Sequence, residues 1–311
     1  MQSYPSLEKK YKTTQLVLLV NVALAGLILN FIDASLFSYE LQYYILIFFV
    51  AIIGLPHGFF DYMISQKLYG HIHNWILKFT VGYVSLAFLY LLVWILYPIV
   101  ALIIFLLLAT VHFGMEEASI ERFVDQSKIL MIIIGSIPIM LPIMFHTDNV
   151  FFIFEQIIDK NLIVPDFNII LKSTYLLLIS VVLLLDYRKY LAYLFLIPCL
   201  IYLPPLISFV IYFCFHHSIN HYTQSIFREK LLPQAFSLRT FLFGIGIISV
   251  VFTLIVLVVM VNLTEYSLDV AIAKYTFIIL ACLTLPHLLL NIYYETTCLL
   301  YTSDAADDRD S

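Results

Sequence analysis

The feature that most constrains this chain is a succession of long apolar runs, which follow one another from about residue 16 to residue 294 with only short polar, Pro or Gly punctuation between them. About 20 apolar residues rising 1.5 Å each cross a bilayer core of about 30 Å, so such runs read as membrane-spanning helices. Composition agrees: 62% hydrophobic and 12% charged residues, with a mean hydropathy of +0.98, exclude a soluble globular domain. The expected fold is all-α, a polytopic transmembrane helical bundle in the lipid bilayer.

The runs place spans near 16–32, 41–56, 75–97, 98–113, 128–145, 168–185, 190–203, 204–222, 240–262 and 270–294. That is eight to ten spans, with ten fitting best; a single broken helix around Pro204-Pro205 would leave nine. Cytoplasmic loops accumulate Lys and Arg. With ten spans and a cytoplasmic N-terminus, one side holds Lys9, Lys10, Lys12, Lys67, Lys78, Arg122, Lys128, Arg188, Lys189, Arg228, Lys230 and Arg239, leaving Lys160, Lys172 and Lys274 on the other. Residues 1–15 then form a cytoplasmic segment and 16–296 a single transmembrane domain. The longest loop, about 146–167, is expected on the non-cytoplasmic side.

The ending TCLLYTSDAADDRDS departs from the Ile-, Leu-, Phe- and Tyr-rich style before it and resembles a translated adaptor read-through. Residues 297–311 are therefore expected to be a non-native tail standing where the natural C-terminus is missing. The net charge of −5 comes largely from Asp304, Asp307, Asp308 and Asp310 in that tail, and no basic patch points to nucleic acid. Cys199, Cys214, Cys282 and Cys298 show no paired spacing and read as helix packing.

Ionisable residues are costly at membrane depth and mark function there. In this topology four histidine-bearing segments fall at one depth, on even-numbered spans: GLPHGFFDY with His57 at the end of helix two, TVHFGMEE with His112 at the end of helix four, FHHSINHY with His216, His217 and His221, and TLPHLLLN with His287. His217 and His221 are four residues apart, so both imidazoles share a helix face and can hold one metal ion. His57 and His112 complete the set from neighbouring helices. Four neutral imidazoles without a thiolate suit Fe, Zn, Cu or Ni. His216, about 100° around the helix from His217, reads as structural. His287 is a fifth ligand, an outer group or a pocket wall, while His71, His73 and His146 are expected to be solvated.

Each candidate also has a polar group one turn on: Asp61 after His57, Glu116 after His112 and Asn291 after His287. Ligating histidines usually give their second ring N–H to a carboxylate or carbonyl, which makes Asp61 and Glu116 candidates for that role. The competing reading is of polar residues at helix ends.

PHGFFDY, HFGMEE, HSINH and LPHLLLN, in that order over most of the chain, resemble the Brp/Blh (bacteriorhodopsin-related protein) family of membrane-bound β-carotene 15,15′-dioxygenases. The resemblance implies an Fe(2+) site carried by His57, His112, His217 and His221. It implies cleavage of the central double bond of β-carotene by O2 into two molecules of retinal, in a bacterial or archaeal cell (inner) membrane where the product could supply a microbial rhodopsin. Asn220 stands where the family usually has a basic residue, and Tyr62 where it commonly has His; both leave the exact carotenoid open.

A polyene that lives in the bilayer suits a site at membrane depth walled by aromatics, for which Tyr43, Tyr44, Phe59, Phe60, Phe113, Phe213 and Phe215 are placed beside the motifs. Two other readings compete. A di-iron oxygenase of the desaturase or hydroxylase type would need about eight histidines, hence His71 and His73 as well. A metal or proton transporter would need polar groups through both leaflets, whereas the outer halves here are almost purely apolar.

Overall fold

A computed structural model describes residues 4–119, 128–187, 189–228, 231, 238–263 and 266–307, and every regular element among them is helical. Arg122, Arg188 and Lys230, used above for orientation, and residues 308–311 of the tail lie outside the described residues. Eleven helical rods organise the rest: α1 (Tyr4–Ile32), α2 (Tyr39–Tyr69), α3 (Trp75–Leu96), α4 (Pro98–Ser119), α5 (Lys128–Phe145), α6 (Thr147–Ile158), α7 (Ile169–Leu185), α8 (Tyr193–Tyr202), α9 (205–228), α10 (Leu238–Leu263) and α11 (Leu268–Asp307).

Six of the described helices are long and apolar enough to cross a membrane, namely those over Glu8–Ile32, Tyr39–Tyr69, Trp75–Leu96, Pro98–Glu117, Lys128–Phe145 and Leu268–Thr297. Shorter apolar helices at Ile169–Leu185, Tyr193–Tyr202 and Phe243–Val256 fall on three further expected spans. Large apolar side chains such as Phe31, Leu96, Ile170 and Leu184 point outward. Water would penalise that surface and lipid does not. The chain is thus an all-α integral membrane bundle.

Proline chemistry sets the break between α8 and α9. Leu203 precedes a proline and is extended (φ −87°, ψ 153°), as the proline ring demands of its predecessor, and Pro205 then opens the next helix, where a missing N–H costs nothing. Pro204-Pro205 therefore separates two helices. The expected loop 146–167 instead contains α6, which buries Val150, Ile153, Ile157 and Ile158. An apolar face at helical spacing gave that segment a reason to pack.

Two contacts position the site. α4 and α5 approach so closely at Gly114 and Gly135 that a Cβ built on Gly135 would lie 2.0 Å from the Thr110 carbonyl oxygen and 2.6 Å from the Gly114 nitrogen. α1 begins within the segment expected to precede the first span, and Gln15 is buried. Its Nε2 donates to the His216 carbonyl (3.1 Å) and to Asn220 Oδ1 (2.7 Å).

Candidate metal centre

The histidine-bearing rods are not uniform α-helices. α2 runs α-helical over Tyr39–Phe49, widens to π-helix over Val50–Gly54, tightens to 3-10 over Leu55–Phe59 and resumes α-helical over Phe60–Tyr69. Pro56 has no N–H to give the ladder, so the helix rearranges around it. α9 is α-helical over Pro205–Val210, π-helical over Ile211–Ser218, α-helical over Ile219–Thr223 and π-helical over Gln224–Arg228. Such π segments are frequent at functional sites. His57 therefore lies within a continuous rod and His112 lies seven residues before the end of α4, where the sequence alone put both at helix ends.

Five imidazoles from α2, α4, α9 and α11 converge, all buried: His57, His112, His217, His221 and His287. His57, His112 and His217 each offer a nitrogen within 4.8 Å of the others. His112 Nε2 and His217 Nε2 face each other at 3.0 Å. His221 and His287 stand beside this trio, with ring centroids 5.4 Å and 5.3 Å from that of His57. The His287 ring centroid is 4.8 Å from that of His112.

The ring nitrogens have partners, and the carboxylates among these cross between helices. His57 Nδ1 bonds to the Gly54 carbonyl, His221 Nδ1 lies 3.2 Å from Glu116 Oε2, and His287 Nδ1 lies 2.7 Å from Asp61 Oδ1. Asp61 Oδ2 in turn accepts from the Tyr83 hydroxyl at 2.7 Å. Asn291 Nδ2 lies 3.2 Å from His287 Nε2. Asp61 and Glu116 thus do meet histidines, but not the ones a turn before them in sequence. Each carboxylate points across an interface that the chain order does not reveal.

His216 turns away from the group: its Nε2 sits 2.6 Å from Glu117 Oε1, both buried. Glu117 was not singled out by sequence reasoning, although the doublet Glu116-Glu117 carried the signal, since its two acids point to different faces as His216 and His217 do. Tyr83 is 22 residues from Asp61 and had no local signal. His71 and His73 are exposed in the turn after α2, away from any eight-histidine set. His146 is half-buried, with Nε2 sealed from solvent, so it is not solvated as expected.

A cavity of about 300 Å³ opens against the histidines. It is lined by His57, Asp61, His112 and His287 and by aromatic walls that include Phe59, Phe79, Phe105, Phe113, Phe209 and Phe213. Phe59, Phe113 and Phe213 were expected there. Tyr43, Phe60 and Phe215 pack elsewhere in the core, and Tyr44 faces outward. A concave, mostly apolar space with a few convergent polar groups is the usual form of a small-molecule site.

The donor set fits a metal ion. His221 Nε2 is buried without a hydrogen-bond partner, and the facing Nε2 atoms of His112 and His217 would both serve one ion. A buried polar atom left unmatched calls for such an explanation. An all-nitrogen set without thiolate suits first-row transition metals.

A family model described as beta-carotene 15,15'-dioxygenase matches residues 48–293. The chain is similar to a beta-carotene 15,15'-dioxygenase of uncultured marine bacterium 66A03, 27% identical over 263 residues that cover 78% of this chain and 90% of that protein. No solved structure matches the chain. The matched segment holds every histidine of the buried group, and the chain belongs to the β-carotene 15,15′-dioxygenase family of carotenoid-cleaving oxidative enzymes.

Proposed function

We propose that this protein cleaves the central 15,15′ double bond of β-carotene with O2, giving two molecules of all-trans-retinal, at a non-haem Fe(II) held by His57, His112, His217 and His221. The observation that carries this reading is the trio of buried nitrogens within 4.8 Å of one another, at the wall of an apolar cavity. When bound, iron would supply the activation of dioxygen that no side chain provides.

The chain's own residues do the rest. Gly54 and Glu116 hold the Nδ1 atoms of His57 and His221, which turns their Nε2 atoms toward the trio and fixes the tautomers. Asp61, with Tyr83 behind it, holds the Nδ1 of His287 at the cavity wall, and Asn291 lies against the Nε2 of that ring from the same helix. The aromatic lining excludes water and takes a polyene by burial of apolar surface. The reaction breaks one C=C bond and gives each carbon one oxygen atom of O2, so its balance calls for no acid or base. The setting this reading implies is a bacterial or archaeal cell membrane, where the product could supply a microbial rhodopsin.

The test is expression in a bacterial strain that accumulates β-carotene, with retinal and residual carotene quantified by chromatography. The parent chain should form retinal and His217→Ala should not. Unchanged carotene with folded, metal-loaded parent protein would overturn the reading.

A further inference from the structure

α2 and α9 carry His57, His217 and His221, and both rods depart from the α pattern where they meet. Pro56 offers no N–H to Ile53, three residues before it, or to Ile52, four before it. A carbonyl deprived of its donor at membrane depth must find another, because lipid supplies none. Side chains take both carbonyls at the change from π to 3-10 helix. The Gly54 carbonyl holds Nδ1 of His57, and the Ile53 carbonyl accepts from the Tyr222 hydroxyl at 3.0 Å.

The second of these bonds joins two rods. Tyr222 follows His221 directly and stands between the two π segments of α9, 169 residues from Ile53. Its ring rests on Phe60, with centroids 5.8 Å apart, and Phe60 also meets His221 at 6.0 Å. The same two rods touch at Gly54, where an added Cβ would lie 2.7 Å from Phe213 Cε1. Between them His57 faces His217 and His221, each with its ring centroid 5.4 Å away.

Resting on the reading that these histidines hold one metal ion, we propose that Tyr222 is a positioning residue of the centre. Its bond to Ile53 sets how far His217 and His221 stand from His57. Ring nitrogens from separate rods converge on one ion only if the rods keep that spacing, so loss of the hydroxyl loosens the set without removing a ligand. Tyr90 supplies the comparison. Its hydroxyl donates to the Ala101 carbonyl at 2.9 Å and ties α3 to α4 by a bond of the same kind, and it forms no part of the wall of the histidine cavity.

The test is titration of chelator-stripped protein with Co(II), whose visible bands report the geometry of its nitrogen ligands. Tyr222→Phe should weaken Co(II) binding by about 10- to 100-fold and shift those bands. Tyr90→Phe should lower the Tm and leave both unchanged. Parental affinity and bands in folded Tyr222→Phe would overturn the proposal. The same change in Tyr90→Phe would overturn it too, since that marks a general loosening of the bundle. A tyrosine analogue with an amino group in place of the hydroxyl keeps a donor at Tyr222 and should bind Co(II) as the parent does. It also serves if Tyr222→Phe does not accumulate in the membrane, and altered binding in that folded variant would again overturn the proposal. A parent that takes no Co(II) would overturn the metal centre and the role of Tyr222 with it. A parent that binds Co(II) but leaves β-carotene intact when reloaded with Fe(II) would overturn carotenoid cleavage alone and leave the role of Tyr222 standing.

Discussion

Asp61 reaches across 226 residues of chain to place Oδ1 2.7 Å from His287 Nδ1, while its Oδ2 is held by Tyr83. The arrangement orients the His287 imidazole from another helix, opposite a neighbour in sequence, Asn291, that touches the same ring. Asp61→Asn keeps the shape and removes the charge. It should lower iron affinity or retinal formation by about 10- to 100-fold, the usual effect of losing a partner of this kind. Metal content and product assays on the purified variant check it; parental values in both would show that Asp61 has no part in the site.

Adjacent histidines should behave oppositely. His217→Ala should strip the bound metal, whereas His216→Ala should keep its stoichiometry. Loss of His216 leaves Glu117 buried without its partner, which should cost about 3–5 kcal/mol of stability. Elemental analysis together with thermal unfolding in detergent separates the two effects. Equal metal loss in both variants would mean that His216 belongs to the centre.

Chelation of the purified protein with 1,10-phenanthroline should abolish retinal formation and lower the Tm, because an ion bound only by the folded state stabilises it. Fe(II) should restore both. Zn(II), which has no redox chemistry, should restore the Tm alone. Recovery of activity with Zn(II) would refute oxygen activation at this site.

The α4–α5 contact should tolerate no added methyl. The clash at Gly135 is with backbone atoms, which cannot swing aside, so Gly135→Ala should force the helices apart. A lowered Tm and reduced metal content are expected, since His112 rides on α4. Gly82→Ala, where a Cβ meets nothing within 4 Å, is the neutral control. A parental Tm for Gly135→Ala would show that the helices can yield.

Membrane insertion, the helical class and the histidine-bearing segments were legible in the sequence because each depends on local residue types. The apolar runs around 98–113 and 128–145 declare themselves by length, and His217 and His221 by spacing. What stayed hidden depends on where the helix period changes and on which interfaces form. The π turns at Val50–Gly54 and Ile211–Ser218 have no signature in a 3.6-residue pattern, and they decide where His57 and His217 point. Glu116 was readable as a partner for a histidine but not for which one, since its contact with His221 is made only when α4 meets α9. α6 was not legible as a span because its twelve residues are too few to cross a bilayer.

The buried group draws on residues 57, 112, 217, 221 and 287, and the last of them stands on the final helix. During synthesis the histidines therefore enter the bilayer one rod at a time, and Gln15 on the first helix lacks its partners at 216 and 220 until α9 arrives. The group becomes whole only after α11 has inserted. The trio of His57, His112 and His217 is present once α9 has inserted, and a nascent chain stalled before α11 would lie in the membrane without His287 and without the wall that Leu280, Leu283 and Thr284 lend to the cavity.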